Sequence, residues 1–261
     1  MTSITYVVGD GFENFSKNLN VISISAFEEI IGLPRIGKAK NGSYVFGQGI
    51  SEERIKKIKQ SIEEYKINDV FIKEHFFSKE KNSYAHKKLS ENVMISKPLA
   101  VNNNFFVSSL MIDDRCAEMS DHRTGQHVQG MVLIEAARQM ILSVSENFFF
   151  SDAERFKRYF ILNNIDVQFK QFIFPLDAEL YCTVVEHDKG DTGKLTAKCV
   201  IEFMQNNISC VQVTIQFMAD EKLKLEKKEA KLANFNTQIA CVKEEENINH
   251  FSHQVICMNK N

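Results

Sequence analysis

The residues best suited to chemistry crowd into one stretch. Asp121-His122-Arg123-Thr124-Gly125-Gln126-His127-Val128-Gln129-Gly130 reads as a polar loop with two histidines and two glycines. It runs directly into Met131-Val132-Leu133-Ile134-Glu135-Ala136-Ala137-Arg138-Gln139. That second half is apolar enough to be a buried helix, yet it carries Glu135. Burying a carboxylate costs several kcal/mol unless it is paired or neutralised, so a core helix that keeps one is a candidate active-site helix. In a greasy helix the Glu135 pKa is expected to rise towards neutrality, which suits a general acid or base. A purely structural ion pair with Arg138, three residues on, accounts for the same residues equally well.

The other members of the stretch carry paired readings too. Arg138 could hold a phosphate or a carboxylate instead. Gln139 lies on the same helix face as Glu135 and could donate to a carbonyl. His122 could deprotonate a hydroxyl while Asp121 orients its ring; Asp121 also suits a turn or a helix cap. His127 stands just before the helix, where it would line a pocket or bond to backbone. Gly125 and Gly130 allow the backbone to approach a ligand closely, or simply shape a turn. Amides near Gly130, at the helix N-terminus, could polarise a carbonyl.

These residues need a frame. Residues 1–80 alternate short strands (Thr5–Val8, Val21–Ile24, Tyr44–Phe46, Asp69–Ile72) with helices (Phe12–Leu19, Ala26–Ile31, and one capped by Ser51), which predicts a small α/β unit with a parallel sheet. Its Gly9-Asp10-Gly11 and Gly47-Gln48-Gly49 follow strands as phosphate loops do, but each lacks a third glycine and a following lysine, so tight turns are expected. Residues 73–91 read as a lysine-rich connection. From Val93 the pattern is β, with one long strand or a bent pair around Asn102-Asn103-Asn104. The apolar helix follows, to about Asn147. Beyond residue 158, strict alternation (Ile165, Val167, Phe169; Leu195, Ala197, Cys199, Ile201, Phe203; Val211, Val213, Ile215, Phe217) predicts half-buried antiparallel strands. EKLKLEKKEAKL begins a charged, exposed helix, and an Asn-rich tail follows.

The bulk properties exclude several classes. A chain of 261 residues, 44% hydrophobic and 25% charged, with a net charge of −2, offers no broad basic surface for nucleic acid or an anionic membrane. No apolar run approaches the ~20 residues of a membrane span, and MTSITYVVGDGF lacks the features of a signal peptide. A cytoplasmic protein is expected. The six cysteines form no close Cys/His ligand pair, so no metal site is expected. Cys116, near His122, is a candidate nucleophile, but a small buried hydrophobe is the stronger reading.

An apolar helix preceded by β structure and followed by four antiparallel strands suggests a sheet curled around a helix. The string Asp-His-x-x-Gly-x-His-Val-x-Gly-Met-Val-Leu-x-Glu-Ala-Ala-Arg-Gln at 121–139 resembles the hotdog repeat of the AfsA (A-factor biosynthesis) family. Gln129 stands where that family usually has proline. The resemblance implies an α+β chain: a hotdog domain over 81–220, preceded by the α/β unit at 1–80 and followed by a charged extension at 221–261. It implies an acyltransferase that moves a β-ketoacyl group from an acyl-carrier-protein or CoA thioester to a small hydroxyl acceptor such as dihydroxyacetone phosphate, without a cofactor. Glu135 and His122 would be catalytic; Asp121, Gly125, His127, Gly130, Arg138 and Gln139 would bind substrate. Family members of this type look like two tandem repeats, and this chain has one, so a homodimer would restore the pair. The motif is also similar to hotdog β-hydroxyacyl dehydratases, which place a histidine before the helix and an acid inside it. Dehydration or thioester hydrolysis, and a non-catalytic acyl-binding module, therefore stand beside transfer.

Overall fold

The computed structural model describes residues 4–32, 42–64, 70–73, 78–119, 124–190 and 192–258. Its first four strands, β1 (Ile4–Val8), β2 (Val21–Ser23), β3 (Gly42–Phe46) and β4 (Val70–Lys73), form a parallel sheet in the order β2-β1-β3-β4. Helices α1 (Ile24–Gly32) and α2 (Glu52–Glu64) make the connections. Ser51 caps α2 through its hydroxyl, which accepts from the Arg54 amide at 3.4 Å. The helix expected over Phe12–Leu19 is instead two 3-10 turns, Asp10–Phe12 and Phe15–Lys17. Phe12 and Phe15 both insert into the main core, and the amides of Asn14 and Phe15 donate to the Gly125 carbonyl instead of to a preceding helical turn.

The second sheet is antiparallel and has six strands: β5 (Leu99–Asn102), β6 (Phe105–Ser109), β7 (Arg158–Phe169), β8 (Glu179–Lys189), β9 (Leu195–Gln205) and β10 (Ile208–Glu221), in the order β5-β6-β8-β9-β10-β7. The Asn102–Asn104 region is the β5–β6 turn, so the expected bent pair is present. On β9 every second residue is buried, as its alternation requires. The sheet wraps α3 (Gly130–Val144), whose Val132, Leu133, Ala136, Met140, Ile141 and Val144 fill the core. This is the hotdog arrangement. The helix ends in a π-helical turn, Ser145–Phe149, where Arg155 takes up the freed Glu146 and Asn147 carbonyls at 2.7 and 3.2 Å.

The two sheets meet at the carboxyl ends of β1 and β3. From β1 the chain crosses to β2 on one side and then to β3 on the other, which opens a crevice of the kind that binds ligands in parallel α/β sheets. Here the crevice is filled. A Cβ on Gly9 would sit 1.7 Å from the Gly49 carbonyl, and one on Gly47 would sit 2.1 Å from that of Pro175. Between them the buried Gln48 side chain donates to the Leu110 carbonyl at 2.9 Å and accepts from the Ile112 amide at 2.8 Å. Both glycine pairs are turns, and the backbone of Gly49 and of Pro175, in the connection from β7 to β8, occupies the space a phosphate would need. Beside them Arg54 grips Glu28 through two bonds (2.9 and 2.7 Å) and Asp10 at 2.8 Å, and reaches Asp114 at 3.5 Å.

The chain closes with α4 (Lys222–Met258). The Asn-rich segment, read as a solvated tail or a packing arm, continues this helix.

Candidate functional site

Asp121 and His122 lie outside the described residues. The loop resumes at Thr124, and the first turn of the chain holds it in place. The Gly125 carbonyl accepts the amides of Asn14 (3.0 Å) and Phe15 (2.9 Å), and Asn14 Nδ2 donates to the Thr124 carbonyl at 3.2 Å. Gly125 has a φ of +70°, and a Cβ there would meet Asn14 Nδ2 at 2.8 Å, so it is glycine for backbone reasons. Phe15 stacks on Phe174 at 5.5 Å between ring centroids.

His127 and Gly130 face an apolar cavity of about 750 Å³, lined also by Leu133, Phe169, Phe172, Phe174 and Val211. The His127 ring packs on Phe172 at 4.5 Å, and its Nδ1 is 3.4 Å from the Thr124 hydroxyl. His127 therefore lines the pocket, one of its two expected positions. The absence of a side chain at Gly130 admits the Phe169 ring, whose nearest atom is 2.9 Å from where a Cβ would be. The Phe169 ring thus covers Gly130 at the helix N-terminus, the position read either as a carbonyl-polarising site or as a structural turn.

Glu135, Arg138 and Gln139 sit elsewhere on α3, in a charged cluster. Two Arg138 nitrogens, Nε and Nη2, donate to Glu135, at 2.7 and 2.8 Å. Lys87 Nζ stands 2.9 Å from Glu135 and 2.8 Å from Glu118. Burial pushes the Glu135 carboxyl up, but the bonds from Arg138, Lys87 and Gln139 outweigh it, and the pKa lies below its ordinary value. The expected rise towards neutrality is thus reversed, because the carboxylate is buried among donors. Glu135 and Glu118 in turn raise Arg138 and Lys87. Of the two readings of Glu135 and Arg138, the ion pair is the one formed.

Gln139 is fully buried and committed at both ends. Its Oε1 accepts the Met94 amide at 2.9 Å, and its Nε2 donates to the Asn92 carbonyl at 2.9 Å and to Glu135 at 3.0 Å. It ties residues 92–94 to the helix and leaves no free donor for a substrate carbonyl. Cys116 is buried, its thiol pushed up to about 11 by burial and by Glu118, so it is not a thiolate at neutral pH. Among the described residues no group of His, Cys, Asp and Glu could hold a metal, and no helix is long and apolar enough to cross a membrane.

Lys87 and Glu118 were not legible as site residues. Lys87 belongs to the lysine-rich segment that read as a connection, and nothing local marks it as a lysine that turns inward.

Several solved structures similar to this chain are described as thioesterases. One is a mutant thioesterase from Pseudomonas aeruginosa, 11% identical over 49% of this chain and 81% of its own, with a TM-score of 0.36. Another is a thioesterase from Haemophilus influenzae, 11% identical over 56% and 96%, with a TM-score of 0.38. A third is described as a putative thioesterase from Shewanella oneidensis, 10% identical over 50% and 87%, with a TM-score of 0.36. No curated protein matches the chain in sequence. The model of the A-factor biosynthesis hotdog domain matches residues 74–219, more than half of the chain and the whole of α3 with its wrapping sheet. The chain belongs to the AfsA hotdog-domain family.

Proposed function

We propose that this protein is an acyltransferase that moves a β-ketoacyl group from an acyl-carrier-protein or CoA thioester to a small hydroxyl acceptor such as dihydroxyacetone phosphate. Membership of the family carries this reading. The aromatic cavity beside His127 supports it, since it has the size and apolar lining to take an acyl chain. In the proposed step the acceptor hydroxyl attacks the thioester carbonyl. The new C–O bond forms, the C–S bond breaks, and the hydroxyl proton passes through His122 to the leaving thiolate. Asp121 orients His122, and His127 borders the acyl pocket. Glu135 contributes as an ionised carboxylate that fixes Arg138 and Lys87 at the site, not as a proton donor. Arg138, part-exposed beyond its bond to Glu135, is the cation for an acceptor phosphate.

The protein acts as a homodimer in this reading. β7 ends the antiparallel sheet, and Leu162, Ile165 and Phe169 on it are exposed. A long edge strand with exposed apolar residues is a pairing template. Pairing there would bring a second copy against Phe169 and Phe172 at the cavity.

Incubation with β-ketoacyl-carrier thioester, with and without dihydroxyacetone phosphate, tests the reaction by intact mass. An ester product that needs both substrates supports transfer. Free acid regardless of acceptor, or loss of water from a β-hydroxyacyl thioester, would replace it with hydrolysis or dehydration.

A further inference from the structure

Helix α4 leaves the body of the protein with an unused seam. Leu225 is buried at its root, but Leu232, Phe235, Ile239 and Val242 are between 39% and 58% exposed. Their spacing, three, four and three residues, places them at successive a and d positions of a heptad, the pattern by which one helix packs along another. The positions flanking that seam carry Glu229, Lys231, Lys243 and Glu245, none of which forms an ion pair among the described residues.

We infer that α4 pairs with α4 of a second copy in an antiparallel coiled coil centred on Thr237. Charge decides both occupant and direction. With the helices antiparallel, Leu232 meets the partner's Val242 and Phe235 meets the partner's Ile239, so all four apolar residues are covered in one register. The same register sets Glu229 against the partner's Lys243 and Lys231 against the partner's Glu245, each twice by symmetry, so these four charged positions all meet the opposite sign. A parallel pairing would set Lys231 against a partner Asn236 and Lys243 against a partner Gln238, and its Lys224–Glu229 pair would draw on a lysine already bound to Asp220 at 2.7 Å within its own chain.

The direction is testable by disulfide trapping in the full chain carrying Cys241→Ser and Cys257→Ser. In the antiparallel register Asn236 lies beside the partner's Asn236, so Asn236→Cys is expected to form a covalent dimer under mild oxidant at micromolar concentration. Thr237→Cys, on the outer face, is expected to stay monomeric on a denaturing gel. Adding Phe235→Glu and Ile239→Glu is expected to abolish the Asn236→Cys cross-link; both residues are exposed, so the fold is kept. An equimolar mixture of Glu229→Cys and Lys243→Cys chains is expected to yield the mixed dimer. No cross-link at position 236, equal cross-linking at 237, or persistence after the two glutamates are introduced would each overturn the inference. These readouts are independent of catalysis and of pairing along β7.

Discussion

The backbone of Phe15 and the carbonyl of Gly125 are hydrogen-bonded at 2.9 Å, and the Asn14 amide shares the same oxygen at 3.0 Å. Residues more than a hundred positions apart thereby fix the loop that leads into α3. The N-terminal unit is part of the support for His127 and for the residues just before it.

That contact makes Gly125 sensitive. Gly125→Ala must hold a left-handed φ and press a methyl on Asn14, which together cost about 1–2 kcal/mol or more. Thermal unfolding is expected to show the loss. Phe15→Ala, which empties a buried site and removes the stack on Phe174, is expected to cost about 3 kcal/mol. Under the proposed function both variants lower kcat more than they raise the KM for the thioester; an unchanged kcat would separate the loop from catalysis.

Glu135 predicts a pH dependence with a definite sign. Its folded pKa lies below the ordinary 4.5. Its contribution to stability is therefore complete above that value and is lost as pH falls through the lower, folded one. Glu135→Gln is expected to destabilise the protein by about 3 kcal/mol at pH 7, with the two stability curves converging in acid. Denaturant titrations from pH 7 to 3 measure this. A gap that stays constant with pH would contradict an ionised, paired Glu135.

Lys87 serves two carboxylates, so its effects are not additive with theirs. Lys87→Met leaves Glu118 and Glu135 each short of a cation and is expected to cost about 2–3 kcal/mol. A double-mutant cycle with Glu118→Gln is expected to give a coupling of about 1 kcal/mol or more. Zero coupling would mean that the contact carries no energy.

The filled crevice at the ends of β1 and β3 predicts indifference to nucleotides. ATP or NAD at millimolar concentration is expected to leave the melting temperature unchanged. Gln48→Leu, by contrast, strands the Leu110 carbonyl and the Ile112 amide and is expected to cost about 3 kcal/mol. A stabilising shift with nucleotide would reopen the phosphate-loop reading of Gly9 and Gly47.

What the sequence displays, and what it hides, follows the range of the interactions. The apolar run after Gly130 and the alternation from Ile165 to Phe217 are local patterns, so α3 and the strands β7, β9 and β10 were readable from them. The parallel unit was readable from its strand and helix alternation. The turn at Phe12–Lys17 was not, because two aromatic side chains and a distant Gly125 carbonyl override a helical-looking spacing. The ion pair of Glu135 with Arg138 was half-readable from their spacing, but the second cation was not, because Lys87 arrives from a segment with no pattern of its own. The commitment of Gln139 was not, because its partners are backbone groups of residues 92–94. The extent of α4 was hidden by Asn-rich composition.

The filling of the crevice by Gln48 also imposes an order on synthesis. The carbonyls that receive its amide belong to residues 62 and 128 positions downstream. At the roughly 5–20 residues per second of translation, the second emerges about 6–26 s after Gln48 itself. Until then the Gln48 amide is without one of its two carbonyl acceptors. The first unit is complete in sequence before it can be latched, and the latch closes only when the connection from β7 to β8 has been made.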